Sequence, residues 1–179
     1  EAGDRLMVVK NNYHWAKVED LGDFIANGDM VEVRKIIRTE EMYGLRFADV
    51  EMILLDRDEE KTFQAKVVLD TLHFNGPSLP ESVMRELREQ VVQDHLELNK
   101  SDRREKLKED PYLNALQVKF AYAVTTHKAQ GGQWKQVFID QGYLVDDMLN
   151  QEYLRWLYTA FTRATEKVYL VQFREDFFE

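Results

Sequence analysis

The chain is 179 residues long, 44% apolar and 12% aromatic, enough for one well-buried core plus a smaller satellite module and too apolar for a disordered tail. With no cysteine, disulfides and thiolate metal sites are excluded, and a reducing cytoplasm is the expected compartment. The net charge of −9 argues against a broadly basic nucleic-acid coat, and no apolar run nears the ~20 residues of a membrane span, so no membrane partner is expected.

Residues 1–75 read as short strands. Leu6-Met7-Val8-Val9 is an apolar run opened by the turn pair Gly3-Asp4. Phe24-Ile25 and Met30-Val31-Glu32-Val33 flank Asn27-Gly28, a dipeptide that favours a tight hairpin because both central residues of such a turn need positive φ. Two further strands are expected at 50–55 and 63–69, joined by the charged loop 56–61, where Asp58, Glu59 and Glu60 read as solvated surface. Four or five short antiparallel strands predict a small barrel of the SH3-like kind.

Residues 76–112 change to a helical pattern. Ser78-Leu79-Pro80-Glu81 fits a capping box, and Val83, Leu87, Val91 and Leu98 follow at helical spacing. Ser101-Asp102 opens a second, strongly charged helix that must stop before Pro111. Mixed charges of this kind read as solvated faces, and the segment carries no predicted chemistry.

Residues 113–179 read as α/β. Val118, Phe120, Tyr122 and Val124 alternate with Lys119, Ala121 and Ala123, which predicts a strand over 118–124. A polar, turn-rich stretch covers 125–133, and a second strand is predicted over 134–140. Leu154, Leu157, Tyr158 and Phe161 recur at i, i+3, i+4 and i+7, so 151–163 reads as an amphipathic helix with these residues on its apolar face. A third strand over 167–173 completes one edge of a parallel sheet covered by helices.

Two segments carry chemistry. Thr125-Thr126-His127-Lys128-Ala129-Gln130-Gly131-Gly132-Gln133 packs hydroxyls, an imidazole, an ammonium and an amide ahead of a glycine pair. Such groups contact phosphates, and the glycines let the backbone approach a ligand. The loop sits within 112–140, where Lys119, Lys128 and Lys135 stand against Asp140 alone, the one net-positive stretch. Read from residues alone, it is either an anion-binding loop or a polar connection. The second segment, Leu157-Tyr158-Thr159-Ala160-Phe161-Thr162-Arg163-Ala164, ends a helix on Arg163. That guanidinium either favours the helix dipole or faces a transferring phosphate.

In this order the two segments resemble motifs V and VI of superfamily 1 DNA helicases, in the form found in RecD-like and UvrD-like enzymes. There the motifs run T-x-H-K-[SA]-Q-G and Y-T-A-x-T-R-A. The matching residues are Thr125, His127, Lys128, Ala129, Gln130 and Gly131, then Tyr158, Thr159, Ala160, Thr162, Arg163 and Ala164. Gly3-Asp4-Arg5-Leu6-Met7, Lys10-Asn11-Asn12-Tyr13 and Asn27-Gly28-Asp29 are similar to the opening of the SH3-like module such helicases insert into their second motor domain. The resemblance implies an SH3-like insert over 1–75, a helical segment over 76–112, and part of a RecA-like parallel sheet with helices over 113–179. It also implies that Thr125 and His127, with Thr126 and Lys128 beside them, contact single-stranded DNA. Gly131, Gly132 and Gln133 would face ATP, and Arg163 would act as both nucleotide contact and catalytic arginine finger. Gln133 departs from the Glu of many relatives, which removes a charge from that contact.

No G-x-x-x-x-G-K-[ST] occurs in the sequence, so the chain lacks its own phosphate cradle. It also offers no Asp-Glu pair on an apolar strand for Mg²⁺, and no metal site is expected. The resemblance places the main ATP and Mg²⁺ ligands in an N-terminal motor domain, the expected intramolecular partner of this region, and the 179 residues alone are expected to be inactive. The alternatives are a non-catalytic module that binds nucleic acid or protein on a helicase-like fold, and an RNA helicase.

Overall fold

The computed structural model describes residues 1–55 and 61–178, which divide into two compact units, Glu1–Tyr122 and Ala123–Glu179. The expected acidic loop at 56–60 lies outside the described residues.

The first unit is built on a closed barrel of five strands. They are β1 (Arg5–Val8), β2 (Met30–Met42), β3 (Leu45–Leu54), β4 (Thr62–Val68) and β5 (Leu116–Phe120). Alternating apolar residues on these strands fill the interior, where Val8, Val31, Met52, Phe63, Val67, Leu116 and Val118 are essentially inaccessible. Burying a side chain of this size contributes about 1.5–3 kcal/mol. Closure depends on β5, which pairs antiparallel with β1 and parallel with β4.

This pairing corrects the expected sheet. The alternation at 118–124 does mark a strand, but that strand is Leu116–Phe120 and belongs to the barrel. Alternation reports a half-buried strand without naming its neighbour. Here β1, with Leu6↔Phe120 and Val8↔Val118 in register, supplies the partner. The expected three-stranded α/β edge is therefore reduced to two strands.

The turn chemistry also differs from expectation. Asn27-Gly28 does form a turn, yet only Gly28 has positive φ (108°), and Ile25 forms a single bridge to Asn12 in place of a strand. Asparagine side chains explain why this segment is a cross-tied loop. Asn11 Oδ1 accepts from Asn27 N at 2.7 Å. Asn12 Oδ1 accepts from Trp15 N at 2.9 Å, and Asn12 Nδ2 donates to Asn114 O at 2.8 Å. The same loop carries a short helix, α1 (His14–Val18). The tight hairpin lies instead at Tyr43-Gly44, both at positive φ (55° and 71°), between the paired residues Met42 and Leu45.

After β4, α2 (Asp70–His73) returns the chain toward α3 (Glu81–Gln93) and α4 (Lys100–Glu109). Thr71 anchors the return: its hydroxyl donates to Val68 O at 2.6 Å and accepts from Val118 N at 3.2 Å. α3 lays Leu87 and Val91 over Leu45, Phe47 and Val68 on the outside of the barrel. Its expected capping box is absent, because Pro80 occupies the N-cap and no side chain caps there. Leu98 lies beyond the end of α3. α4 begins one residue before the expected Ser101, with Asn99 as its cap, and ends before Pro111 as its sequence requires.

One charged cluster sits on this packing. Lys66, 3% exposed, donates to Glu40 at 2.5 Å and to Asp49 at 2.7 Å, and its ammonium lies 4.7 Å from the centre of the Tyr112 ring. Arg38 also binds Asp49, at 2.6 Å. The hydrogen bond from Lys66 holds Glu40 below the usual carboxylate range. Burial pushes Asp49 up, but the hydrogen bonds from Lys66 and Arg38 outweigh it and the net direction is down. Burial likewise lowers Lys66, and its two carboxylate bonds more than restore it, leaving it raised.

The second unit contains β6 (Trp134–Asp140), α5 (Gln151–Phe161) and β7 (Ala164–Val171). The two strands are parallel, with Val137↔Val168 and Ile139↔Leu170 in register. α5 connects them, as a parallel pair requires. Among the described residues, no helix is long and apolar enough to cross a membrane.

Candidate functional site

The polar loop 125–133 folds as successive tight turns. Ala129 N donates to Thr125 O at 3.1 Å, Gln130 N to His127 O at 3.3 Å, and Gly132 N to Ala129 O at 3.2 Å. Ala129 is buried and anchors the turn. Thr125, His127, Lys128, Gln130, Gly131 and Gln133 are exposed, while Thr126 and Gly132 are half-buried. Backbone bonds are thus made inside the turn, and most of its polar side chains face solvent.

The glycines have different reasons to be glycine. Gly131 has φ of 88°, a left-handed conformation that side chains disfavour. At Gly132 the constraint is contact, since a Cβ there would come within 2.4 Å of the Trp134 ring. Any side chain at Gly132 must displace that indole.

Arg163 closes on the same place. Its Nε donates to Thr159 O at 3.0 Å, Nη1 to Gly132 O at 3.1 Å, and Nη2 to Thr162 Oγ1 at 3.0 Å. Its own carbonyl accepts from Trp134 N at 2.9 Å. The guanidinium therefore does not project freely from the helix end. It crosslinks the C-terminal turn of α5 to the loop, using three of its five N–H donors and leaving two.

The helix presents two apolar stripes, and the buried one differs from expectation. Ala160 is buried, with Tyr153, Trp156 and Leu157 half-buried. Leu154 and Tyr158, expected on the core face, are 63% and 72% exposed, and Phe161 is 39% exposed. The two stripes lie about 100° apart on the helix, and periodicity could not tell which one meets the sheet. Asn150 caps α5, its side chain accepting from Glu152 N and Tyr153 N, so the helix N-terminus has little free donor capacity.

A groove of about 850 Å³ lies between this helix and the loop. Thr126, His127 and Gln130 form one wall; Gln151, Glu152, Leu154, Arg155, Trp156, Tyr158 and Thr159 form the other. Two of the predicted contact residues, Thr126 and His127, line it. Thr125, Lys128, Gly131, Gly132, Gln133 and Arg163 do not. The predicted set therefore falls into two places: a groove entered by His127, and a joint where Arg163 meets Gly132. Sequence reasoning missed Arg155, Trp156 and Tyr158 as groove residues. The available signal was Tyr158 beside Arg155 on the polar flank of α5, which the apolar repeat obscured.

Among the described residues, no three His, Asp or Glu side chains are grouped to hold a metal ion. The second unit does carry an ion-paired arginine: Arg174 binds Asp176 and Asp146, which raise its pKa further. It lies outside the groove-lining set.

Residues 120–171 match the family model of the UvrD-like helicase C-terminal domain. The matched stretch contains the whole loop, α5 and Arg163, and supports a UvrD-like helicase C-terminal region in this part of the chain. No curated protein matches the sequence.

Proposed function

We propose that this chain supplies motifs V and VI of an ATP-driven, superfamily 1 DNA helicase, with the barrel as its SH3-like insert. The carrying observation is the 3.1 Å hydrogen bond from Arg163 to Gly132 O, inside the stretch that matches the helicase family. It joins the glycine pair read as facing the nucleotide to the residue read as catalytic. In this reading Thr125, Thr126, His127 and Lys128 hold the DNA backbone, and Gly131, Gly132 and Gln133 face the nucleotide.

The nucleotide's main ligands do not fit in this chain. It has no phosphate loop, and among the described residues no three His, Asp or Glu side chains are grouped to hold a metal ion. Its contribution is narrower: the glycine backbone and one guanidinium with two donors to spare. Arg163 would reach negative charge that develops during phosphoryl transfer, stabilising the transition state more than the bound ground state. The N-terminal motor domain of the same protein would hold ATP and Mg²⁺.

The test is steady-state ATPase of the full-length protein with single-stranded DNA, comparing wild type, Arg163→Ala and Arg163→Lys. Arg163→Ala should lower kcat by about 10³-fold or more, with little change in KM. Arg163→Lys should fail similarly, since an ammonium lacks the planar fork that can hold a carbonyl and a phosphate oxygen together. Near-wild-type turnover in both variants removes Arg163 from catalysis, and no turnover in the wild type favours the non-catalytic reading. Stimulation by RNA and not DNA would reassign the polynucleotide.

A further inference from the structure

The groove beside α5 has a composition that the proposed contacts along the loop do not use. Its helical wall carries Arg155, Trp156 and Tyr158, and its loop wall carries His127 and two polar neighbours, Thr126 and Gln130. Tyr158 is 72% exposed although it sits in this concavity. Trp156 stacks on Tyr153, ring centres 5.7 Å apart, which turns it into packing and leaves Tyr158 as the available aromatic face. Thr159 spends its hydroxyl on Arg155 O at 2.8 Å.

Charge narrows the occupant. The lining holds one guanidinium, Arg155, one imidazole, His127, and one carboxylate, Glu152. A free nucleoside triphosphate brings about four negative charges, which this set cannot balance. A polynucleotide brings one per residue, which can pair locally with Arg155 while Glu152 keeps the lining from being net positive. Exposed Leu154 and Tyr158 also make an open trough rather than a closed pocket, as a continuous strand requires. Polar amides from Gln130 and Gln151, an exposed ring and one cation match the way sequence-tolerant proteins hold single strands, by stacking and backbone charge.

We propose that this groove seats one nucleotide of a single-stranded polynucleotide, with its base on Tyr158 and its phosphate between Arg155 and His127. The inference rests on the nucleic-acid reading of the loop and adds a second wall to it. The helix that carries motif VI then takes part in strand binding through Arg155 and Tyr158, while Arg163 serves the nucleotide side. Tyr158 and Arg163 lie five positions apart on and just beyond one rigid helix, so the two ligands would be registered by α5 itself.

The experiment uses the full-length protein, an oligo(dT) probe, an oligo(U) probe, and an oligo(dT) with abasic residues, read by fluorescence anisotropy at two salt concentrations. Tyr158→Ala should weaken oligo(dT) binding by about tenfold and leave the abasic probe unaffected, while Tyr158→Phe keeps wild-type affinity. Arg155→Gln should weaken base-containing and abasic probes alike and reduce the salt dependence by about one phosphate contact. Equal effects on oligo(dT) and oligo(U) would mean that the groove reads bases and charge without the sugar. If His127→Ala weakens binding but Tyr158→Ala and Arg155→Gln bind as wild type, the nucleic-acid reading survives and this inference is overturned. If the wild-type protein binds no probe, both fall. Tyr158→Ala melting well below wild type would show that protein, and not a base, covers the ring; that too overturns the proposal, and the exposed Arg155 still tests the phosphate seat.

Discussion

The two units differ most in how they use apolar residues. The barrel unit turns its apolar side chains inward, with Phe47, Phe63, Met52, Leu87 and Leu116 all inaccessible. In the second unit only Ala129, Ile139 and Ala160 are buried apolar residues among those described, whereas Phe138, Tyr143, Leu154 and Tyr158 are 63% exposed or more. Phe138 and Tyr169 stack with centres 4.5 Å apart on the outside of β6 and β7. Parallel strands are ordinarily covered on both faces. The chemistry-bearing segments thus sit on the unit with the thinner core, and the unit without them carries a complete one.

The largest effects should expose this contrast directly. Phe63→Ala removes a ring that is 1% exposed and should cost about 3–5 kcal/mol of stability. Phe138→Ala removes the same ring from a position 68% exposed and should cost about 1 kcal/mol or less, the contribution of its stack on Tyr169. Urea denaturation of the two variants measures both. Equal losses would break the comparison, because they would show that Phe138 is covered in solution.

A smaller effect separates charge from packing within the barrel unit. Lys66 is the shared partner of Glu40 and Asp49, whose side chains remain 23% and 27% exposed. Water therefore softens the loss, and Lys66→Met should cost about 2 kcal/mol at neutral pH rather than the full value of a sealed ion pair. The pH dependence follows from the directions of the shifts. Lowered carboxylates contribute stability above their unfolded pKa, and it is lost as pH falls through their folded values. Raised Lys66 contributes below its unfolded pKa, and that is lost as pH climbs through its folded value. The network should therefore act from roughly pH 4 to pH 10, and the gap between wild type and Lys66→Met should narrow below that window. A gap that persists at pH 2 would assign the effect to packing over Tyr112.

The same contrast explains what is legible in the sequence alone. In the second unit the elements were legible to within a few residues. β6 spans the predicted 134–140, α5 covers 151–161 of the predicted 151–163, and β7 begins three residues before the predicted 167. Alternation and helical repeats are local signals, and these elements obey them. Partnership was not legible. Nothing in Leu116–Phe120 names β1 and β4 as its neighbours, and nothing in Tyr43-Gly44 resembles the usual asparagine-glycine hairpin. The site divides in the same way. The residue types of the loop and of Arg163 point to anions from sequence alone, but the Arg163–Gly132 bond joins residues 31 apart in sequence and needed the folded loop to appear. The outward stripe Leu154–Tyr158 was misassigned because helical phase marks two possible faces, and only packing against β6 and β7 selects one.

The smallest prediction compares one capping device used in both units. Asn99 and Asn150 each accept two backbone N–H bonds at the start of a helix, α4 and α5 respectively. Replacing such a cap with alanine costs about 1 kcal/mol of helix stability. The consequence should differ, because α4 buries none of its residues while α5 holds Ala160 against the sheet side. α4 is held by its cap, by half-buried Leu107 against the Leu87 and Val91 cluster, and by Arg103, whose guanidinium donates to the carbonyls of His95, Leu96 and Leu98. Asn99→Ala should therefore speed amide exchange throughout α4, by about fivefold at this cost. Asn150→Ala should speed exchange only in the first turn of α5 and leave the amides near Ala160 unchanged. Uniform acceleration along α5 would mean that its packing contributes little, and the groove wall formed by Arg155 and Tyr158 would then be no more rigid than a solvated helix.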